Sequence, residues 1–196
     1  MLQYLVLLGA AVNLGGGAIY IKDTLFGDTK PNRVTKLMWA IAPLIATAAA
    51  LSKGVGWAVL PVFMSGFVPL LIFIASFINK KAYWKLTTFD YVCGTLSALA
   101  LVLWAITKEP NAAIVLAILS DGIATIPTLT KSWTNPETET GLAYLTGLFN
   151  ALTSFAAIKI WGFAELAFPI YLVITCFLLV FALYRRKIFK TKFHAI

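Results

Sequence analysis

Charged residues are scarce in this sequence: only 12% of its 196 residues are Asp, Glu, Lys or Arg, whereas 60% are hydrophobic. A soluble domain carries about twice that fraction of charge on average, because charged side chains cover its surface. The composition therefore excludes a soluble globular protein and indicates an integral membrane protein.

Residues that carry catalysis or bind metals are also rare. The single histidine, His194, lies in the C-terminal tail, and the two cysteines, Cys93 and Cys176, lie in separate apolar runs without metal-ligand spacing, as packing residues do. The sequence contains no phosphate-binding loop and no spacing that pairs a nucleophile with a base. We therefore expect a protein that is not an enzyme and that needs no metal and no cofactor.

Long apolar runs are what the chain does contain. Seven nearly uncharged runs cover positions 3–21, 37–52, 54–79, 86–107, 110–130, 140–158 and 166–184. Each is close to the ~20 residues with which an α-helix crosses a ~30 Å hydrocarbon layer. The second run is short, but Lys36 and Lys53 at its ends have side chains long enough to reach the lipid headgroups. The sequence therefore predicts an all-α fold with seven transmembrane helices, in contact with the lipid bilayer.

The basic residues are distributed unevenly over the connections between these runs. Of the 16 Lys and Arg residues, 13 fall on one side of the membrane, and only Lys53, Lys108 and Lys159 fall on the other. Because Lys and Arg accumulate in cytoplasmic loops, we expect the N-terminus outside and the C-terminus in the cytoplasm. The net charge of +8 then reflects topology rather than nucleic acid binding. Small size and the lack of targeting signals favour a bacterial or archaeal cytoplasmic membrane.

The sequence contains an internal repeat with an offset of 108 residues. At this offset the first three apolar runs align with the last three without a gap. The aligned pairs that are least expected by chance are Asn13 with Asp121, Gly54 with Gly162 and Pro61 with Pro169. Glycine and proline matches count for more than Leu and Ala matches in so apolar a chain, so the alignment supports a repeat of three helices.

Two copies of a three-helix unit share one orientation only if a single helix links them. The sequence therefore predicts a 3+1+3 arrangement of parallel copies around an axis along the membrane normal. The predicted units are a first repeat at 1–82, a linking helix at 83–108, a second repeat at 109–185 and a basic cytoplasmic tail at 186–196.

A short motif lies near the end of the fifth run. It places Pro127 four residues before Lys131-Ser132, with Thr128 directly after the proline. Together with the 3+1+3 arrangement, this segment resembles the SWEET sugar transporters and their relatives, the PQ-loop proteins and the PnuC-type vitamin transporters; the PQ-loop signature has glutamine where Thr128 stands. The resemblance implies a transporter that moves a small polar solute, sugar-like or vitamin-like, by alternating access between the repeats.

Polar side chains within the apolar runs are the candidates for binding a solute. An ionised carboxylate in hydrocarbon costs about 3 kcal/mol or more, so Asp121 should face the bundle interior, where it could bind the solute or a proton. Helical spacing places Thr125 on the same face as Asp121, and Tyr20 on the same face as Asn13. The residues that we expect to line a central binding cavity are Asn13, Tyr20, Trp39, Asp121, Thr125 and Asn150.

Four prolines could act as hinges for alternating access, because proline removes one backbone hydrogen bond from a helix. They are Pro43, Pro61, Pro127 and Pro169. The acids Glu137 and Glu139, in contrast, follow Asn135-Pro136 at a predicted helix start, where they stabilise the helix dipole and need no further role.

One alternative from another functional class stays open at this point. Asn, Thr and Ser on membrane helices often only hold the bundle together, and proline kinks can be static. The chain would then be a non-transporting scaffold or signalling protein whose basic tail recruits lipid or cytoplasmic partners. Association of the chain into a homo-oligomer is compatible with either function.

Overall fold

The structure, a computed structural model, describes residues 2–80, 82–107 and 109–193. Within these ranges the chain forms seven α-helices and no strand. The helices are α1 (Leu5–Phe26), α2 (Arg33–Ser52), α3 (Leu60–Ala75), α4 (Thr88–Thr107), α5 (Pro110–Thr134), α6 (Gly141–Thr153) and α7 (Phe163–Phe193). Short 3-10 helices flank them at Leu2–Tyr4, Trp57–Val59, Pro136–Thr138 and Ser154–Ala156. The predicted all-α fold is confirmed, with one helix for each apolar run.

Six of these helices are long and apolar enough to cross a membrane, counting Trp57–Val59 as an extension of α3. The helix α6 is the shorter seventh, with 13 residues. Large hydrophobic side chains such as Leu96, Leu119 and Phe177 are about half exposed on the outside of the bundle, where a lipid environment would cover them. The chain is therefore an integral membrane protein.

Two helix ends differ from the predicted spans. The helix α1 continues beyond position 21 to Phe26 and stops at Gly27, whose positive φ of 91° directs its N–H to the carbonyls of Asp23 and Thr24. The helix α7 continues to Phe193, so the first eight residues of the predicted basic tail at 186–196 are helical. No Gly or Pro follows Arg185 in the chain, and charge ends the membrane-embedded part of a helix without ending the helix itself.

Hydrogen bonds join three of the loops and the C-terminal part of α7 at one end of the bundle. The Lys30 N–H donates to the Thr138 carbonyl at 3.1 Å, and the Asn79 side chain donates to the Leu25 carbonyl at 2.8 Å. We call this end, at which α1, α3, α5 and α7 finish, the basic end, because Lys22, Lys30, Lys85 and Arg185 lie there. Successive helices therefore run in alternating directions along the bundle.

The helices pack in a regular pattern. The helix α3 lies against both α1 and α2, and α7 lies against both α5 and α6. Contacts between these two groups run from α1 to α6 and from α2 to α5, while α4 packs mainly on α5.

Glycines bring α1 close to α6. A Cβ atom added at Gly9 would lie 2.3 Å from Thr153 Oγ1, and one added at Gly16 would lie 1.9 Å from Thr146 Oγ1. Small residues permit such close approach of membrane helices, so this contact depends on the absence of a side chain at both positions.

Candidate functional site

A cavity of about 90 Å³ lies inside the bundle, between the helices of the two groups. Its volume suits several water molecules or a solute of a few heavy atoms. Side chains of Val68, Ile72, Leu172 and Leu179 form much of its apolar wall. The large polar and aromatic side chains that line it are Asn13, Tyr20, Lys36, Trp39, Asp121, Tyr144 and Asn150, none of them more than 8% exposed.

Five of the six predicted binding residues lie at this cavity, and Thr125 does not. The Thr125 hydroxyl instead accepts a hydrogen bond from Trp39 Nε1 at 2.9 Å and donates to the carbonyl of Asp121 at 2.8 Å. Its place behind the cavity wall fixes the orientation of the Trp39 ring. Thr125 therefore acts on the cavity through Trp39 rather than by touching its contents.

Asp121 is held in the middle of α5 with its carboxylate facing inward. The side chain is 3% exposed, and Oδ2 accepts a hydrogen bond from the Tyr171 hydroxyl of α7 at 2.6 Å. Of the lysines and arginines described, none lies within 4.0 Å of this carboxylate. A carboxylate has about four acceptor sites, so Asp121 retains capacity for further donors.

Asn150 presents one satisfied and one unsatisfied group. Its Nδ2 donates to the Pro61 carbonyl at 3.0 Å, which ties α6 to the start of α3. Its Oδ1 is fully buried and has no hydrogen-bond partner among the residues that the structure describes. A buried acceptor without a donor costs about 1–3 kcal/mol, so this oxygen favours a ligand or water that can donate.

Lys36 does not reach the headgroups, and that prediction was wrong. Its side chain is 2% exposed and turns into the cavity, where Nζ lies 4.5 Å from the ring centres of both Tyr20 and Trp39 and 5.2 Å from that of Tyr144. The aromatic faces stabilise the ammonium by cation–π attraction. The sequence held a signal for this position, since Lys36 is three residues before Trp39 and so shares its helix face.

A buried charge cluster adjoins the cavity on the side toward the basic end. Glu139 Oε2 accepts hydrogen bonds from the hydroxyls of Tyr20 and Tyr144, each at 2.7 Å. Lys131 Nζ forms an ion pair with Glu139 Oε1 at 2.7 Å, and both side chains are at most 1% exposed. Lys131 also donates to the Lys30 carbonyl. We call Tyr20, Lys131, Glu139 and Tyr144 the basic-end latch.

The latch corrects the interpretation of Glu139 as a helix-dipole acid. The loop Asn135–Thr140 folds back over the end of α5, which buries Glu139 while Glu137 stays exposed. Burial alone would raise the pKa of the Glu139 carboxyl, but the charges of Lys131 and Lys36 and the hydrogen bonds outweigh it and hold the pKa below its usual value. Glu139 is therefore ionised at neutral pH.

The four predicted hinge prolines occupy different positions in their helices. Pro43, Pro127 and Pro169 lie inside α2, α5 and α7, where each removes a backbone hydrogen bond. Pro61 lies in the first turn of α3, where a backbone N–H would have no acceptor within the helix. A proline at this position therefore removes no helical hydrogen bond. Only the first three thus create a weak point within a helix.

Comparisons of the chain with family models, with curated proteins and with solved structures gave no match. Within the described part of the chain, no group of three His, Cys, Asp or Glu side chains could hold a metal ion. What the cavity offers is a carboxylate, an ammonium, amide groups and aromatic faces. This set suits reversible binding of a small polar molecule.

Proposed function

We propose that the protein is a transporter that moves a small polar solute across the membrane by alternating access between two three-helix repeats. The observation that carries this proposal is the central cavity with Asn13, Asp121 and Asn150 in its lining. Buried polar and charged groups in membrane helices are costly and are typical of transport pathways. The cavity also reaches Asn13 and Asp121 near the middle of α1 and α5, and solute sites of transporters lie at such mid-helix positions.

The helix contacts support the repeat. Shifting every helix by the 108-residue offset exchanges α1 with α5, α2 with α6 and α3 with α7. The contact of α1 with α6 then becomes the contact of α5 with α2, and the contacts of α3 with α1 and α2 become those of α7 with α5 and α6. A packing pattern that is unchanged by this exchange is what a twofold axis along the bundle would produce.

The cavity lining supports the same axis. Four pairs of lining residues are separated by this offset: Asn13 and Asp121, Lys36 and Tyr144, Trp39 and Gly147, and Val68 and Cys176. Equivalent positions of two repeats meet in one cavity only if the cavity lies close to the axis. In this arrangement α4 is the helix that links the repeats.

The alternating access that we infer has its closed side at the basic end. The positive-inside rule assigns that end to the cytoplasm, which leaves the N-terminus outside. The basic-end latch then separates the cavity from the cytoplasm, and its hydrogen bonds and ion pair would have to break for the solute to pass. Pro43, Pro127 and Pro169 are the helix positions that could bend during this step.

The alternative of a non-transporting scaffold requires the polar side chains to be bonded to one another. Asp121 instead bonds Tyr171, and Asn150 bonds the backbone of Pro61 while its Oδ1 is unpartnered among the described residues. These side chains line a cavity rather than a tight contact, which favours transport.

The test is uptake of radiolabelled sugars, amino acids and vitamins into liposomes that contain the purified protein. We expect at least one solute to enter faster than into protein-free liposomes. Asp121→Asn should slow that uptake at least tenfold, whereas Glu137→Gln, which removes an exposed acid, should leave it unchanged. Uptake of none of these solutes by the wild type would overturn the proposal in favour of the scaffold.

A further inference from the structure

Two buried charges in the cavity lack a countercharge within salt-bridge distance. The ion pairs in the described part of the chain are Lys53–Glu109 and Lys131–Glu139, and neither includes Lys36 or Asp121. A buried charge without a partner is strongly destabilising, so both groups gain when a ligand supplies the opposite charge.

The Lys36 ammonium can donate further hydrogen bonds. An ammonium carries three N–H groups, and the one hydrogen bond of Lys36 Nζ that the structure gives goes to the Tyr144 hydroxyl at 3.3 Å. Glu139 is reached only through that hydroxyl and is already paired with Lys131. Glu139 is thus the one carboxylate near two buried lysines and is paired with Lys131, which leaves the Lys36 charge available to an anion.

Asp121 and Asn150 can accept further hydrogen bonds. Asp121 accepts from a neutral phenol, Tyr171, which does not cancel its charge. Asn150 is among the residues that line the same cavity, and its buried Oδ1 has no donor among the described residues. A cationic donor that reached both oxygens would pair the carboxylate and satisfy the amide.

The two charges lie at different levels of the bundle. Lys36 Nζ lies over the Trp39 ring, and the Trp39 indole bonds Thr125. Asp121 is four residues before Thr125 on α5, which is about 6 Å along the helix axis in the direction away from the basic end. A ligand in the cavity therefore meets positive charge toward the basic end and negative charge further inside.

We propose that the solute is a small zwitterion, with a carboxylate that binds Lys36 and an ammonium that binds Asp121 and the Asn150 amide oxygen. This inference rests on the proposed transport function and names its substrate class. A zwitterion supplies both missing countercharges and keeps the loaded cavity neutral. A simple anion or cation leaves one of the two buried charges unpaired, and a neutral polyol leaves both charges unpaired.

The test uses probes of similar size and different charge on wild-type protein in liposomes. Uptake through the protein, taken as the rate minus that into protein-free liposomes, is measured for radiolabelled glycine and β-alanine, with acetate, glycinamide and glycerol as an anion, a cation and a neutral molecule. We expect at least one of the two zwitterions to enter at least tenfold faster than each of the other three probes. Equal or faster uptake of glycerol would overturn the zwitterion and leave the transporter standing, whereas uptake of no solute, in this set or in the wider panel, would overturn both.

Charge-removing variants then distinguish a binding role from a structural one. We expect Asp121→Asn to shift preference from glycine toward acetate, because only the Lys36 charge is left, and Lys36→Met to shift it toward glycinamide. A structural role would lower uptake of all probes in proportion, without a change in their order, and would contradict the proposal. If either variant fails to fold, competition of the same unlabelled probes against wild-type uptake gives the order that decides.

Discussion

The Lys36 ammonium lies 3.3 Å from the hydroxyl of Tyr144, a residue 108 positions later in the sequence. The two positions are equivalent in the proposed repeat, in which their contact would lie close to the axis that relates the two halves. The Tyr144 hydroxyl in turn donates a hydrogen bond to Glu139 Oε2 at 2.7 Å. The Tyr144 hydroxyl thus connects Lys36 in the cavity to Glu139 in the basic-end latch.

Removing the charge of Glu139 should destabilise the protein. Glu139→Gln would leave the Lys131 ammonium buried without a countercharge, and breaking a buried ion pair in this way typically costs about 3–5 kcal/mol. We expect a clear drop in the midpoint of thermal unfolding, measured for the purified protein in detergent.

The matched control for this variant is Glu137→Gln in the same loop. Glu137 is exposed, so its replacement should leave the midpoint nearly unchanged. Adding Lys131→Met to Glu139→Gln should recover part of the loss, because the Lys131 ammonium is then no longer buried without its countercharge. Equal midpoints for the wild type and Glu139→Gln would show that the ion pair contributes nothing.

The latch should also make stability depend on acid pH. The folded-state pKa of Glu139 lies below the usual glutamate value of 4.5, since the charges of Lys131 and Lys36 outweigh the opposite effect of burial. A group with a lowered pKa contributes its full stabilisation above the usual value and loses it as the pH falls through the lower, folded value. The advantage of the wild type over Glu139→Gln should therefore be full at neutral pH and shrink below pH 4.5.

Unfolding midpoints measured from pH 7 down to pH 3 for both proteins provide this comparison. Hydrogen bonds from the backbone N–H groups of Ala112 and Asn111 also lower the pKa of Glu109. Because Glu109 is exposed to solvent, it should contribute far less to the loss of stability at acid pH. A wild-type advantage that stayed constant over the whole range would contradict the role of the Glu139 charge.

A methyl group at Gly16 should disturb the contact of α1 with α6. The added Cβ would lie 1.9 Å from Thr146 Oγ1 and 2.8 Å from Thr146 Cβ, so the helices must separate. We expect Gly16→Ala to destabilise the protein by roughly 1–3 kcal/mol, as overpacking does. The measurement is the same unfolding midpoint.

Gly15 provides the control because it is the neighbour in the same helix. A Cβ at Gly15 meets no atom within 4 Å, so Gly15→Ala should be neutral or raise the midpoint through the better helix propensity of alanine. If both variants behaved alike, the close approach of the two helices at Gly16 would be refuted.

Thr125→Val should loosen the cavity wall without adding or removing a charge. The Trp39 Nε1–H would lose its acceptor, and an unsatisfied buried donor costs about 1–3 kcal/mol. We expect a lower unfolding midpoint and, for any transported solute, a raised KM, because the Trp39 ring is no longer held in place. Thr130→Val, on the exposed face of the same helix, should have neither effect; a lowered midpoint there would point to a general effect of valine in α5.

The fold was predictable because the bilayer imposes a length and an apolarity that can be counted along the chain. Asp121 was predictable as an inward-facing residue for the same reason. Exposing a carboxylate to lipid costs so much free energy that the side chain must face the bundle interior. Lys36 and Glu139 were missed because a charge near the end of a span can either reach the headgroups or turn inward. One hydroxyl partner of each comes from a distant part of the sequence: Tyr144 lies 108 residues from Lys36, and Tyr20 lies 119 residues from Glu139.

The short helix α6 sets a condition on the surrounding lipid. Its 13 residues rise about 20 Å and the 3-10 helix Ser154–Ala156 that follows adds about 6 Å, compared with a hydrocarbon thickness of about 30 Å. Leu142, Leu145, Phe149 and Leu152 face outward along it, so acyl chains contact this flank directly. The membrane must thin beside α6 or leave the turns at its ends among acyl chains, at a cost of fractions of a kcal/mol per Å. One flank of the protein is thus matched to shorter acyl chains than the rest.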